Sequence, residues 1–416
     1  MTTAWLWVAG LIGAGLRAYL LLATDGSLDA PILGAHGSNV LERGLIAYYE
    51  TRLAVAPGIG ALPPFNHPPP IAMGLAGLAW LADASGISFS FLWRLPFAIL
   101  DAGTALLLVR ALPDHPWRLA IGAAYWLHPL ALIFSAYQGN SDSAVAFFAL
   151  LSLHLVATGR PALAGAALGV GLWVKIPVLL AAPVLFFALT DARSRLRFAA
   201  AAAAALLAGW APALLADPVA VIRAVVLYPG LQLQTRTGVS VWGVLYMLPE
   251  PESLPFALRG AWRAAQEAVV SANTWICVVP IAVCAWCRRH QRDPVSLARN
   301  VGASYAIVYG LTQAFAFQYF AWSLPFWLCF PWRVALAASV VASAYIYGVY
   351  AWLTGSPFLL GTWDFAGRPD WPFAVQLARD AANLFFFGAA IWWIAGSLRA
   401  ARGRAPDPDR RSRPRP

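Results

Sequence analysis

Few side chains in this sequence can move a proton or hold an anion, and those that can interrupt long apolar runs. Asp29 stands just after the first such run, in TDGSLDAPILG. A carboxylate at the mouth of a membrane cavity can take a proton from an attacking hydroxyl. It can equally cap a helix that starts at Pro31. Asp25 competes for the same roles but lies nearer the run. His67 sits in FNHPPP, where prolines also mark an ordinary helix start. Gln138, Asn140 and Asp142 fall in SAYQGNSDSA, a polar break between two apolar stretches. Such a cluster suits sugar hydroxyls or a phosphate, although Asp142 could simply cap the next helix.

Lys175, in GLWVKIPVLL, is the only lysine among 29 Lys and Arg residues and has no counter-charge nearby in sequence. A lysine inside a span costs roughly 2.5–3.5 kcal/mol on insertion scales. It can snorkel to an interface, or hold a phosphate. Arg236 lies beside Gln234 in YPGLQLQTRTG, and Gln318 and Tyr319 in FAFQYFAWSLPFW, positions that suit substrate contacts. Arg94 and Asp101 share one apolar run seven residues apart, so a paired structural role inside the bundle is expected for them.

The setting is a membrane. The 416 residues are 60% hydrophobic and 12% charged, whereas soluble domains carry about 25% charged residues. The 20 Trp suit bilayer interfaces. The net charge of +10 resides in short clusters between apolar runs: Arg193, Arg195 and Arg197, then Arg288, Arg289 and Arg292, then the tail beyond Arg399. That pattern is positive-inside anchoring, so no nucleic-acid partner is expected. Cys284 and Cys287 lie inside an apolar run with no second pair, which argues against zinc or a disulfide. No H-E-x-x-H, P-loop, dinucleotide fingerprint or G-x-S-x-G occurs. The N-terminus reads as a retained first span, lacking a basic n-region.

Those elements must be helices, since the runs are too long and uniformly apolar for barrel strands. The expected fold is all-α and polytopic, with about 10–13 transmembrane helices. Candidate spans cover residues 4–23, 68–83, 89–110, 118–135, 142–158, 162–175, 176–190, 197–216, 273–287, 300–317, 320–332, 334–354 and 380–398. A single membrane domain (1–398) would precede a disordered Arg/Pro-rich cytoplasmic tail (399–416). Outer loops would be 24–67, 217–272 and 355–379. In the first, Asp29 to Tyr49 can form an interfacial helix with Leu33, Val40, Leu41 and Leu45 on one side. Arg110 and Arg118 pose a parity problem. Placing them inside needs an odd number of crossings between 68 and 110, and hydropathy gives two. Either one segment is re-entrant or the pair departs from the rule.

Taken in order, these motifs resemble the GT-C class of polyprenyl-phosphate-sugar glycosyltransferases. Asp29 followed by Gly44-Leu45 and Tyr48-Tyr49 is similar to that family's acidic residue, short helix and Gly-x-x-x-Tyr. FNHPPP resembles its aromatic-x-x-Pro-Pro helix start. HPLALIFSAYQGNSDS resembles its NP…I…GN-x-(E/D)-S segment, with His128 in place of Asn. GVGLWVKIPVLLAAP resembles its Gly-x-x-x-x-Lys-x-x-P element, and QYFAW is similar to the QYF-x-W of the group that adds the first mannose to glycosylphosphatidylinositol precursors. The resemblance covers roughly residues 10 to 330.

It implies a hexosyl-, possibly mannosyltransferase at the outer face of a membrane, with a polyprenyl-phosphate sugar as donor and a lipid-linked or envelope glycan as acceptor. Asp29 would be the base, and Lys175 with Arg236 would hold the phosphate. His67, Gln138, Asn140 and Asp142 would line the sugar pocket, with Gln318 and Tyr319 on the lipid-phosphate side. No cofactor is certain, a divalent Mg or Mn ion being possible, since the acidic motif is a lone Asp29. The near-absence of lysine and the wealth of alanine suit a bacterium with a GC-rich genome, hence an inner membrane, and the basic clusters put the C-terminus in the cytoplasm. Two other classes remain open: a transporter or flippase of a lipid-linked sugar, and a catalytically dead scaffold of the same fold. No clear internal repeat supports the transporter.

Overall fold

The computed structural model describes residues 4–51, 54–56, 60–227, 242, 253–313, 315–363 and 371–402. Within them the chain is helical apart from one hairpin of three-residue strands. Helix α1 (Ala4–Ala23) is apolar over its length and long enough to cross a membrane. Gly26 then turns the chain into α2 (Asp29–Arg43), which breaks at Gly44 before α3 (Leu45–Glu50). The hairpin, β1 (Ala54–Ala56) and β2 (Gly60–Leu62), precedes α4 (Pro69–Ser85).

The expected interfacial helix therefore comes in two pieces. Leu33 and Val40 face inward as expected, but Leu41 is exposed. One reason is register: Val40 and Leu41 are adjacent and lie about 100° apart on a helix. The buried face of α2 and α3 instead includes His36, Tyr48 and Tyr49, which close around Phe65 and pack against Leu75 of α4.

Helix α5 (Phe89–Ala111) resolves the parity problem. Its Arg94 donates to Leu20 O at 2.9 Å, Leu21 O at 3.1 Å and Thr24 O at 2.9 Å, at the C-terminal end of α1. Deeper along α5, Asp101 meets Arg17 of α1 at 2.8 Å. The two helices are thus antiparallel, and α5 begins where α1 ends. Helix α4 starts beside Gly209, through Pro70, and finishes three residues before α5. Both its ends lie at this far end of the bundle. The apolar segment at 68–83 is therefore no crossing, and Arg110 returns to the end where α1 began.

From there α6 (Arg118–Trp126) and α7 (Pro129–Leu132) rise as one segment bent by 46°. His128 caps α7 through Nδ1, which accepts from Leu130 N at 3.2 Å. The π turn Ile133–Tyr137 completes the ascent. Helix α8 (Asp142–Ala157) descends, α9 (Pro161–Val174) rises again, and a 3-10 turn (Ile176–Ala181) with α10 (Ala182–Ala188) descends. At 1.5 Å per residue, the 14 residues of α9 reach about 21 Å. A bilayer core is about 30 Å thick. The tips of these short helices are thus recessed below the far surface.

Helix α11 (Ala192–Ala216) rises parallel to α9. Gly165 meets Phe198 O so closely that any Cβ there would collide, and Trp173 Nε1 donates to Ala205 O at 2.7 Å. After the short α12 (Pro218–Val221) and a π turn, the description resumes with α13 (Phe256–Ser271) and α14 (Asn273–Cys287), bent by 55° at their junction. Helix α15 (Pro294–Leu311) returns, and Asn273 Oδ1 accepts from Gln313 N at 2.7 Å. A 3-10 turn (Phe317–Trp322) and α16 (Leu324–Trp327) lead down to α17 (Trp332–Thr354), followed by α18 (Phe373–Arg402).

Five helices (α1, α5, α11, α17 and α18) are long and apolar enough to span a membrane, or up to seven segments if each bent pair is one span. This is a multi-pass membrane architecture. The basic clusters gather at one end: Arg193, Arg195 and Arg197 open α11, and Arg288 donates to Ser397 of α18 at 2.7 Å, close to Arg399. The four cysteines are free and buried.

Candidate functional site

Four recessed backbone breaks at the far end bring the polar residues together. The first is the start of α2. Ser27 Oγ accepts from Asp29 N at 3.2 Å, while the Asp29 carboxylate caps nothing. It turns inward and accepts from Gln138 Nε2 at 2.6 Å. The cap reading of Asp29 is therefore wrong: the side chain faces the bundle.

The second break follows the π turn. Gly139 adopts φ +66°, and any Cβ there would run into Arg94. The glycine lets the chain reverse while Gln138 and Asn140 point inward, 1% and 7% exposed. Gln138 Oε1 accepts from Tyr350 OH of α17 at 2.6 Å. A hydroxyl donor at one end and a carboxylate acceptor at the other orient the amide without ambiguity. Asn140 Oδ1 accepts from Asp142 N at 3.1 Å, so Asn140 supplies the helix-start contact expected of Asp142.

Asp142 is instead the counter-charge that Lys175 lacked in sequence. Lys175 Nζ lies 2.5 Å from Asp142 Oδ2 and 3.4 Å from Asn140 Oδ1. Lys175 forms the third break, an extended residue (φ −162°, ψ 139°) ending α9 just before Pro177. A buried carboxylate without a partner is far costlier than a paired one, and this ion pair pins α8 to the α9 tip. Trp322 Nε1 donates to the other oxygen, Asp142 Oδ1. Trp322 belongs to the fourth break, the 3-10 turn, where Tyr319 stacks on it with ring centroids 4.1 Å apart. Gln318, on the same turn, is half-buried and takes no hydrogen bond among the described residues.

His67 stands alongside. Its carbonyl accepts from Tyr49 OH at 2.6 Å and its ring lies 5.4 Å from that of Phe65. Burial, with the nearby charge of Lys175 and with His36, pushes the imidazole down to about 3, so His67 is a neutral hydrogen-bonding group. Burial holds the Asp29 carboxyl above the ordinary carboxylate range. The Gln138 hydrogen bond, the Lys175 charge and Asn140 each pull it partly back. The residue itself remains partly exposed.

The structure thus gathers the sequence candidates Asp29, Gln138, Asn140, Asp142 and Lys175 into two bonded groups whose charges sense one another, with His67 beside them and Tyr319 joined through Trp322. Arg236 lies outside the described residues. Trp322 and Tyr350 are site residues that the sequence does not mark: the first lies within the QYFAW stretch, the second in an apolar helix. The expected pairing of Arg94 with Asp101 is replaced by two separate devices. Asp101 pairs with Arg17, accepts from Tyr125 OH at 2.9 Å and from Ser135 Oγ at 2.5 Å. Arg94 spends its guanidinium on carbonyls of α1, on Ser90 O at 3.0 Å and on Ala136 O at 3.3 Å. A seven-residue interval on one helix sets both side chains on the same face some 10 Å apart, too far to pair.

Among the described residues no group of three His, Cys, Asp or Glu is placed to hold a metal ion. Asp142 is engaged by a lysine and a tryptophan, which leaves Asp29 as the one partly exposed carboxylate within this cluster. This donor set does not suit a protein-held divalent ion. Searches against protein-family models and against curated proteins returned no match to this chain.

Proposed function

We propose that this protein is a GT-C-like membrane glycosyltransferase that moves a hexose from a polyprenyl-phosphate donor to a lipid-linked or envelope-glycan hydroxyl. The observation that carries the reading is a partly exposed carboxylate, Asp29, held by Gln138, within electrostatic reach of a partly exposed ammonium, Lys175, held by Asp142, at recessed helix tips. A glycosyl transfer with inversion needs those two functions on one substrate. One group removes a proton from the nucleophile, and another steadies the departing phosphate.

In this mechanism the acceptor oxygen attacks the anomeric carbon and forms the new glycosidic bond. The bond from that carbon to the phosphate oxygen breaks, and its electron pair leaves with the phosphate. Asp29 accepts the hydroxyl proton. Lys175, held in place by Asp142 and Asn140, meets the charge on the leaving polyprenyl phosphate. Gln138 and His67 supply neutral hydrogen-bonding groups for the sugar. The shorter segments α8, α9, the 3-10 turn with α10, and α15 are further crossings, and the recessed tips of α8 and α9 bring the site to the depth of a lipid phosphate. The clustered arginines, read by the positive-inside rule, support a cytoplasmic basic end and C-terminus, with the site on the outer side of a bacterial inner membrane.

The test uses the purified protein in lipid with a panel of polyprenyl-phosphate sugars. Release of free polyprenyl phosphate is measured in wild type and Asp29→Asn. We expect donor-dependent release that falls at least about a hundredfold in the variant. Full activity in a normally expressed Asp29→Asn would overturn the base assignment. Absence of release with every donor would favour a transporter or scaffold.

A further inference from the structure

A second groove lies at the opposite, basic end, away from the site just described. It encloses about 930 Å³ between the α5–α6 linker, α6 and the first half of α17. Its walls are mostly apolar, with His128, Ser339 and Ser343 as polar members along them, and its lining contains no carboxylate. Trp117 and Trp332 stand at its mouth, 62% and 69% exposed. Exposed Trp pairs of this kind mark the headgroup level of a bilayer. From Trp332 to Ser343, the deepest α17 residue in the wall, the helix rises about 16 Å. That matches one leaflet of hydrocarbon, about half of a 30 Å core.

The mouth carries positive charge. Arg299 lines the groove, and its Nε donates to Cys329 O at 2.7 Å. Its two Nη groups take no acceptor among the described residues. His115 adds a further donor at the same mouth. Asp114, the nearest acidic neighbour in sequence, is exposed and outside the lining. A largely apolar slot one leaflet deep, with a guanidinium at its headgroup end whose two Nη groups take no described acceptor, is complementary to a lipid with an anionic phosphate.

We propose that this groove is a specific site for an anionic phospholipid, one acyl chain lying along α17 and the headgroup phosphate on Arg299. The inference stands apart from the transferase reading, since no residue of the far-end cluster contributes to it.

The experiment reconstitutes the full chain in equal phosphatidylglycerol and phosphatidylcholine, extracts it gently, and counts retained lipid by native mass spectrometry. Wild type should retain phosphatidylglycerol at least tenfold over phosphatidylcholine. Arg299→Gln should abolish that preference, and Ser339→Trp, which fills the slot, should lose the bound lipid. Asp29→Asn should retain it, whatever becomes of activity. Because either groove variant could fold poorly, phosphatidylglycerol with a photoactivatable chain is also cross-linked to wild type, and the adduct should map to α17. Equal retention of the two lipids, unchanged retention in a folded Ser339→Trp, or displacement of the lipid by polyprenyl phosphate would each overturn the proposal.

Discussion

Gln138 donates to Asp29 at 2.6 Å across 109 residues of chain, a hydrogen bond that anchors the carboxylate and ties it to the helix bundle. The amide is fixed at its other end by Tyr350, so the carboxylate takes its orientation from α17.

The first prediction concerns pH. Burial raises the Asp29 pKa and the Gln138 hydrogen bond lowers it. A base works only when deprotonated, so turnover should fall as pH drops through that raised pKa. Gln138→Leu removes a group that favours the charged form, and the acid limb should move to higher pH. A pH profile of polyprenyl phosphate release in both proteins tests this. An unmoved or lowered limb would show that Gln138 does not tune the base.

The second prediction separates stability from activity at Lys175 and Asp142. Removing one member of a buried pair leaves an uncompensated charge and costs about 3–5 kcal/mol. Lys175→Met, which strands the fully buried Asp142, should lower the thermal midpoint markedly, and Asp142→Leu, which leaves a partly exposed lysine, should lower it less. The double variant should recover most of the loss, since it leaves no buried charge. Activity should not return with stability, because Lys175 also meets the leaving phosphate. Recovery of turnover in the double variant would reduce the lysine to a structural partner.

How much of this was legible in the sequence follows from what each residue interrupts. Lys175 and the 138–142 stretch stand out because polar groups in apolar surroundings carry an energetic cost that demands an explanation. Tyr350 and Trp322 do not stand out, because an aromatic residue with a polar tip fits an apolar helix as readily as a site. Partners could not be read at all. Arg17 and Asp101 are 84 residues apart, and only the antiparallel packing of α1 and α5 joins them. Hydropathy also failed to separate α4 from true crossings. Its apolar face serves α2 and the Phe65 cluster instead of lipid alone, and composition does not distinguish those two partners.

The third prediction addresses Arg94, which is 2% exposed and holds the end of α1 to the π turn before Gln138. It thereby sets the distance between the Asp29 and Gln138 segments. Lysine has three donors on a flexible stem and cannot reproduce the planar fork. Arg94→Lys should lower kcat at least about tenfold with KM changed little, since misplacement by about 1 Å is costly in the transition state. A pure fall in folded yield, with kcat per folded molecule intact, would assign Arg94 to stability alone.

The fourth prediction is a loss of stability in mild acid traceable to His36. This histidine is 3% exposed, bonds Tyr48 OH at 2.5 Å through Nδ1, and packs against Phe65. Burial pushes it down to about 4 from an ordinary value of 6.5. Above pH 6.5 the ring is neutral in folded and unfolded chains alike and contributes no pH dependence. Below 6.5 the unfolded chain binds a proton that the folded one refuses, so stability falls until the pH reaches about 4. At 1.36 kcal/mol per pH unit, the loss over that window is about 3 kcal/mol. Thermal midpoints of wild type and His36→Gln should therefore differ in slope between pH 6.5 and 4, the variant being flatter, while their slopes agree above 7. Parallel slopes throughout would mean that the α2–α3 segment already opens enough in the native state to let the imidazole titrate freely.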